Sequence, residues 1–409
     1  MNVSCGFVAR PRHSYSGVES RVTSTPLAMS AVTLSPPTLR VRASPASRAR
    51  ASASRRLPRP PLASATGDAT TTTASSTADR VTLGTSDLSV SAVGVGAWAW
   101  GDRSGYWGSD WKSQTDKNLD AYRALLRGGV DFVDTAEVYG FGKSEELLRD
   151  FAREVRGETD LVAPLIATKF APLPLRFTAE DVPKALKASL DRLGLEKTAL
   201  YMQHWPAFGF AADAFNDAFL EGLCLCRERG LCDAVGVSNF NAERVRTAAK
   251  KFADRGVPFA SNQIQYSLAY RAPELDTGVV DACRDAGVTV VAYSPMAQGL
   301  LTGKYAAGSG VKAAGPRGAV FTDARVAAAE GLLSAMRAVG EERGKTPAQI
   351  AVNYCASKGA VPIPGAKDAA QAESVVGCLG WRLDEGEIAE LEKAAKALPA
   401  APGAPFEQW

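Results

Sequence analysis

Residues 131–140 read Asp131-Phe-Val-Asp134-Thr-Ala-Glu-Val-Tyr139-Gly140. A short apolar run ends on a carboxylate and opens into a loop that carries a phenol. The same grammar recurs along the chain. Apolar runs end at or beside Lys169 in Ala167-Thr-Lys-Phe, His204 in Gln203-His-Trp-Pro, Ser238 in Gly236-Val-Ser-Asn, Gln263 in Ser261-Asn-Gln, and Tyr293 in Ala292-Tyr-Ser-Pro. The runs predict strands over 93–98, 131–135, 161–168, 199–204, 234–238, 259–263, 288–293 and 361–363. Several are continuously apolar, as parallel strands covered on both faces are.

Segments of helical period lie between them. Val182, Leu186, Leu190 and Leu193 form one stripe, with Thr178 and Asp181 at capping-box spacing before it and Gly194 after it. Leu119, Tyr122, Leu125 and Leu126 form another, stopped by Gly128-Gly129. Further helices are expected at 145–155, 212–228, 242–253, 273–286, 325–343 and 369–376. Eight strands alternating with eight helices fit an open doubly wound sheet or a (β/α)8 TIM barrel. In an open sheet the polar strand ends would be strung out at about 4.8 Å per strand. In a barrel they converge on one mouth, and the barrel is the expected fold. A β-hairpin around Gly84–Asp87 should plug its floor, and an extra helix is expected at the C-terminus.

Residues 1–65 hold ten arginines, no lysine and one acid, Glu19, a charge of +9. The overall charge is +3, so the remainder carries −6, which argues against nucleic acid as a partner. The Arg-, Ser- and Pro-rich, acid-poor leader predicts a transit peptide and linker over 1–79, with one domain over 80–409. A plastid address is favoured over a mitochondrial one. No apolar run is long enough to span a membrane. The seven cysteines show no zinc spacing, so no metal site is expected. Gly94-Val-Gly96 lacks the later glycine of a Rossmann loop, and Gly142-Lys-Ser144 lacks the first glycine of a P-loop.

Asp134, Tyr139, Lys169 and His204 leave three consecutive strands. A phenol is a poor acid near pH 7, and a neighbouring ammonium is expected to lower its pKa. Asp134 would orient the lysine, and His204 would hydrogen-bond a substrate oxygen. A proton donor aimed at a carbonyl, with no nucleophile beside it, suits carbonyl reduction by hydride from a cofactor. Each of the four residues also has an ordinary structural reading, and only their joint placement favours the catalytic one.

From Val81 to Pro399 the chain resembles the aldo-keto reductase superfamily, most nearly its chloroplast plant and algal members, which are related to the β subunits of voltage-gated potassium channels. The resemblance rests on Asp134-Thr-Ala-Glu-Val-Tyr-Gly, Ala167-Thr-Lys-Phe, Leu200-Tyr-Met-Gln-His-Trp-Pro, Gly236-Val-Ser-Asn-Phe, Ser261-Asn-Gln, Ala292-Tyr-Ser-Pro-Met-Ala-Gln-Gly and Pro362-Ile-Pro-Gly-Ala-Lys. It implies a barrel that binds NADPH/NADP+ without a Rossmann fold. Tyr139 becomes the general acid, Lys169 and Asp134 its pKa-lowering pair, and His204 the polarising group. Ser238, Asn239 and Gln263 match the grip on the nicotinamide amide, and Tyr293 matches the ring that stacks on it. Ala97 and Trp98 match lining positions. Ser294, Pro295, Met296, Gln298, Gly299 and Lys304 would wrap the pyrophosphate, with Arg317 clamped over it. Gly365, Lys367 and Gln371 match adenosine-end contacts, Lys367 favouring a 2′-phosphate. Ser374-Val375 stand where many members carry Glu-Asn, so the adenine contacts should weaken or move to Glu373. The implied activity is NADPH-dependent reduction of small aldehydes or ketones. Pyridoxal reduction, or a redox-sensing cofactor-binding subunit with little turnover, are the alternatives. The loops after the first, fourth and seventh strands carry Tyr106, Trp107, Trp111, Trp205, Phe208 and Phe210, an aromatic surround for the substrate.

Overall fold

The computed structural model describes residues 79–399, apart from 108–109, 210, 306–307, 312, 314–317 and 319–320. The expected leader, Arg317 and Phe210 lie outside the described residues. Two short strands, β1 (Arg80–Thr82) and β2 (Ser89–Ser91), pair antiparallel. Eight parallel strands follow: β3 (Val95–Gly96), β4 (Phe132–Asp134), β5 (Leu165–Phe170), β6 (Thr198–Gln203), β7 (Cys232–Ser238), β8 (Phe259–Gln265), β9 (Thr289–Tyr293) and β10 (Val361–Pro362). Each pairs with its sequence neighbour. Gly94 N donates to Pro362 O at 2.9 Å and Gly96 N to Pro364 O at 3.0 Å, joining the first strand to the last and closing the barrel.

Strand alternation sorts the side chains. Phe132, Ala167, Leu200, Ala234, Val291 and Val361 form an apolar layer inside the barrel. Two residues further along their strands, Asp134 and Lys169 face the same interior nearer the mouth. On β8 the register slips: Val235 pairs with Phe259 but Gly236 with Ser261, so Ala260 is an extra residue. That bulge turns both Ala260 and Ser261 inward, and with them Gln263. The hairpin closes the opposite end. Its Leu83 and Val90 are fully buried in the apolar layer. Thr85 N donates to Phe259 O at 3.1 Å, and Gly84 N to Thr289 Oγ1 at 2.8 Å. Gly84 has φ of 56°, and a Cβ there would lie 2.1 Å from Phe259 O, so only glycine fits.

The helical layer comprises α1 (Trp111–Arg127), α2 (Lys143–Glu154), α3 (Asp181–Leu193), α4 (Ala212–Glu228), α5 (Ala242–Asp254), α6 (Ala272–Leu275), α7 (Val279–Asp285), α8 (Asp323–Arg343), α9 (Pro347–Ser357), α10 (Ala369–Val376) and α11 (Glu385–Ala395). Three features differ from expectation. The segment expected as one helix over 273–286 is two, broken at Gly278, whose φ is 64°. Between β9 and β10 there are two helices. The one expected, α8, packs against the extra C-terminal helix α11, while α9 lies against β10. The third strand runs to Phe170 rather than 168, because Lys169 is buried inside the barrel instead of leaving it.

Candidate active site

Lys169 sits on β5 directly above Ala167, and its ammonium spends three bonds in a fully buried setting. It donates to Asp134 Oδ2 at 2.6 Å, to the Thr135 carbonyl at 2.8 Å and to Tyr139 Oη at 3.2 Å. Asp134 ends the neighbouring β4, and Gln263 Nε2 donates to its other oxygen at 2.7 Å. Tyr139 opens a short turn in which Gly140 and Phe141 take left-handed φ of 57° and 58°. Gly140 permits the close approach of the Gly101 carbonyl, which a Cβ would meet at 2.1 Å. Because lysine donates to the phenol oxygen, the phenol's own hydrogen is left to the cavity.

Burial raises the Asp134 carboxyl and lowers the Lys169 ammonium, and the contact between them works against both shifts. The phenol goes the other way from expectation. Burial pushes Tyr139 well above its ordinary value of 10, and the Asp134 carboxylate adds to the rise. The ammonium is in place, but its charge is matched by Asp134, so a phenolate would leave a net anion in a dry site. Buried beside that matched pair, the phenol keeps its proton at neutral pH. His204 packs edge-on to it, ring centroids 5.5 Å apart. Burial, with the Lys169 ammonium, holds the imidazole well below 6.5, so it is neutral at physiological pH, and its Nδ1 has no hydrogen-bond partner.

These groups open on a cavity of about 960 Å³ at the C-terminal ends of the strands. Asp134, Tyr139, His204, Trp98, Ser238, Asn239, Gln263 and Tyr293 line one part of it. They are already tied together: Tyr293 Oη donates to Asn239 Oδ1 at 2.9 Å, Asn239 Nδ2 to Ser238 Oγ at 3.1 Å, and Ser238 Oγ to the Gln263 carbonyl at 2.8 Å. Asn239 has φ of 60°, a strained backbone held by these bonds. The loop after β9 supplies Ser294, Pro295, Met296, Gln298, Gly299 and Lys304. Ser294, Ala297 and Gln298 also have positive φ, 54°, 49° and 57°, so that the backbone curls around the cavity. Tyr106 Oη donates to Gln298 Oε1 at 2.7 Å, linking that loop to the one after β3. Gly365, Lys367 and Gln371 line the far end.

Ala97 does not join them: it is fully buried in the core, where its carbonyl accepts from Ser144 Oγ at 3.1 Å, and Ala99 faces the cavity instead. Of the aromatic loop residues, Tyr106, Trp107 and Trp205 line the cavity, whereas Phe208 is exposed and Trp111 belongs to α1. Ser374 and Val375 line the far end themselves, and Glu373 does not. Thr302, Tyr305, Ala348, Val352 and Cys378 are further lining residues that were not expected: the first two come from the loop after β9, the next two from α9 and the last from just past α10. The Trp98 ring stacks on Tyr106 at 4.9 Å and lies 6.2 Å from Tyr139. No group of metal-binding side chains occurs among the described residues, and none of their helices is long and apolar enough to cross a membrane.

A long groove without a Rossmann loop, opening beside a Tyr–Lys–Asp line at the mouth of an eight-stranded barrel, defines a class of barrel oxidoreductases. The chain belongs to the aldo/keto reductase family, whose profile matches residues 92–396. It is 37% identical over 321 residues to "Pyridoxal reductase, chloroplastic" of Arabidopsis thaliana, a match spanning 76% of this chain and 85% of that protein. Its fold is similar to that of the glycerol dehydrogenase of Gluconobacter oxydans, with a TM-score of 0.66 and 24% identity, over 80% of this chain and 98% of that one. A Klebsiella pneumoniae aldo-keto reductase crystallised with NADPH has a TM-score of 0.58 and 22% identity, over 80% of this chain and 97% of its own.

Proposed function

We propose that the protein reduces aldehyde or ketone carbonyls to alcohols with NADPH, Tyr139 giving the proton. The observation that carries this reading is the bonded line Asp134–Lys169–Tyr139, which ends at a cavity with the phenol protonated. The cavity's donor set fits the cofactor. The positive-φ loop after β9 and the Lys304 ammonium suit a pyrophosphate, Lys367 suits a 2′-phosphate, and the Ser238–Asn239–Gln263 amides and hydroxyl suit a carboxamide. When bound, NADPH supplies the hydride that the carbonyl carbon receives. His204, neutral, polarises the carbonyl oxygen. Tyr139 then gives its proton to that oxygen, which as an alkoxide is the stronger base, and Lys169 shields the phenolate left behind. The protein's relation to the Arabidopsis enzyme supports pyridoxal as a substrate, and the flat Trp98–Tyr106 surround suits an aromatic ring. The Arg- and Ser-rich leader, together with that chloroplastic relative, supports import into the plastid.

The test is Tyr139→Phe. Aldehyde-dependent NADPH oxidation is expected to fall by about 10²–10⁴-fold, with NADPH binding, read by quenching of protein fluorescence, kept. A wild type that binds NADPH but reduces nothing in a broad panel, pyridoxal included, favours a redox-sensing subunit instead. Equal turnover with NADH and NADPH at equal low concentration overturns the assignment of Lys367.

A further inference from the structure

We infer that Gln263 is a positioning residue for proton delivery: its side-chain amide reaches across the barrel to hold Asp134, and through it Lys169 and the Tyr139 phenol. This rests on the reductase reading above and adds a second role to a residue so far assigned to the cofactor. β4 and β8 stand four strands apart whichever way the barrel is traversed, so the bond spans its full width. The distance is 2.7 Å, and both residues are 2% exposed. A carboxylate buried this deeply must have both oxygens satisfied. Oδ2 has Lys169, and Oδ1 has Gln263 alone.

Gln263 is itself fixed on both sides. The bulge at Ala260 turns its side chain inward, and its main-chain carbonyl accepts from Ser238 Oγ at 2.8 Å and Asn239 N at 2.9 Å. An amide carries two N–H donors and one acceptor. One donor is committed to Asp134, which leaves one donor and the carbonyl for a carboxamide in the cavity. The same side chain therefore touches the cofactor's place and the proton-delivery line. Without its N–H, Asp134 would turn both oxygens to Lys169 or take up a proton. Either change swings the ammonium away from the bond it makes to Tyr139 Oη. The charged and titratable groups around Asp134 are Lys169 on β5, which also feels Glu145 on α2, Tyr139 after β4 and His204 after β6. From the β8 side Gln263 is the facing group.

The experiment compares Gln263→Met, Asp134→Asn and the double variant. Single-turnover reduction of 4-nitrobenzaldehyde is measured at saturating NADPH and aldehyde, with NADPH affinity measured by fluorescence and the fold by circular dichroism. Gln263→Met is expected to slow the step by about tenfold, and the double variant to be within about twofold of Asp134→Asn alone, since the two act as one unit. The acid limb of the rate profile should move toward neutral pH in Gln263→Met, because the carboxylate has lost a donor. Losses that multiply, or an acid limb that stays put, overturn the inference and leave Gln263 a cofactor contact only. Should the Met variant not fold, Gln263→Glu serves: sharing a site with Asp134, it should be slow above neutral pH and recover as it takes up a proton, and a flat response overturns the role. A wild type inactive on every aldehyde overturns the reductase reading and this role together.

Discussion

The two ends of the barrel are built on opposite principles. The floor is an apolar layer capped by Leu83 and Val90, with a glycine pressed against a strand backbone. The mouth, one residue pair further along the same strands, buries a carboxylate and an ammonium, leaves an imidazole nitrogen unpartnered and holds Asn239 and Ser294 at positive φ. Apolar burial is worth about 25 cal/mol per Å², whereas a buried ion pair often does no more than break even against an apolar replacement. The floor is therefore where stability is made, and the mouth is where part of it is given up for chemistry.

That contrast can be broken by substitution. The largest effect belongs to Tyr139→Phe, with its loss of about 10²–10⁴-fold in turnover and little change in melting temperature, since the ring stays. Lys169→Met should be next: it leaves Asp134 buried without its counter-ion, at about 3–5 kcal/mol of stability, and it slows turnover by less than Tyr139→Phe does. Denaturant unfolding and NADPH oxidation check both halves. At the floor, Gly84→Ala should cost about 3 kcal/mol through overpacking and a strained φ, yet leave the kcat of the folded fraction unchanged. A loss of kcat there would mean the two ends are mechanically coupled.

The smallest effect is one of pH and comes from thiols buried between the strands and the helices. Burial raises the thiols of Cys224 and Cys283 to about 11 and those of Cys232 and Cys378 to about 12, from 9.0. A raised pKa in the folded state contributes stability that is whole below the unfolded value and lost above it. Unfolding free energy should therefore hold steady up to about pH 9 and decline toward pH 11–12. If Tyr139 gives the proton as proposed, turnover should keep its plateau beyond pH 8, because burial raises the phenol well above 10.

Much of this was legible before any coordinates. Each polar strand end announced itself by breaking an apolar run, and eight such breaks point to convergence. Other features depend on packing that no local pattern carries. The direction of the Tyr139 shift follows from Asp134 neutralising Lys169 in a dry site, which spacing cannot reveal. Ala97 and Ala99 both lie past the end of β3, in the turn that follows it, where strand alternation no longer sorts the side chains. Ala348 and Val352 reach the cavity from α9, which follows the one helix expected over 325–343 and was not read from the sequence. There the signal was present: Thr346-Pro347-Ala-Gln349 is a capping box with proline at the first turn, and both of its bonds form.

Asp79 pairs with Arg382 at 2.7 Å and accepts from Gly380 N, at the hairpin end of the barrel. A cleavage or a fusion made just before it acts on the side remote from the phenol. A chain begun at Asp79 would keep this ion pair and every described residue that lines the pocket.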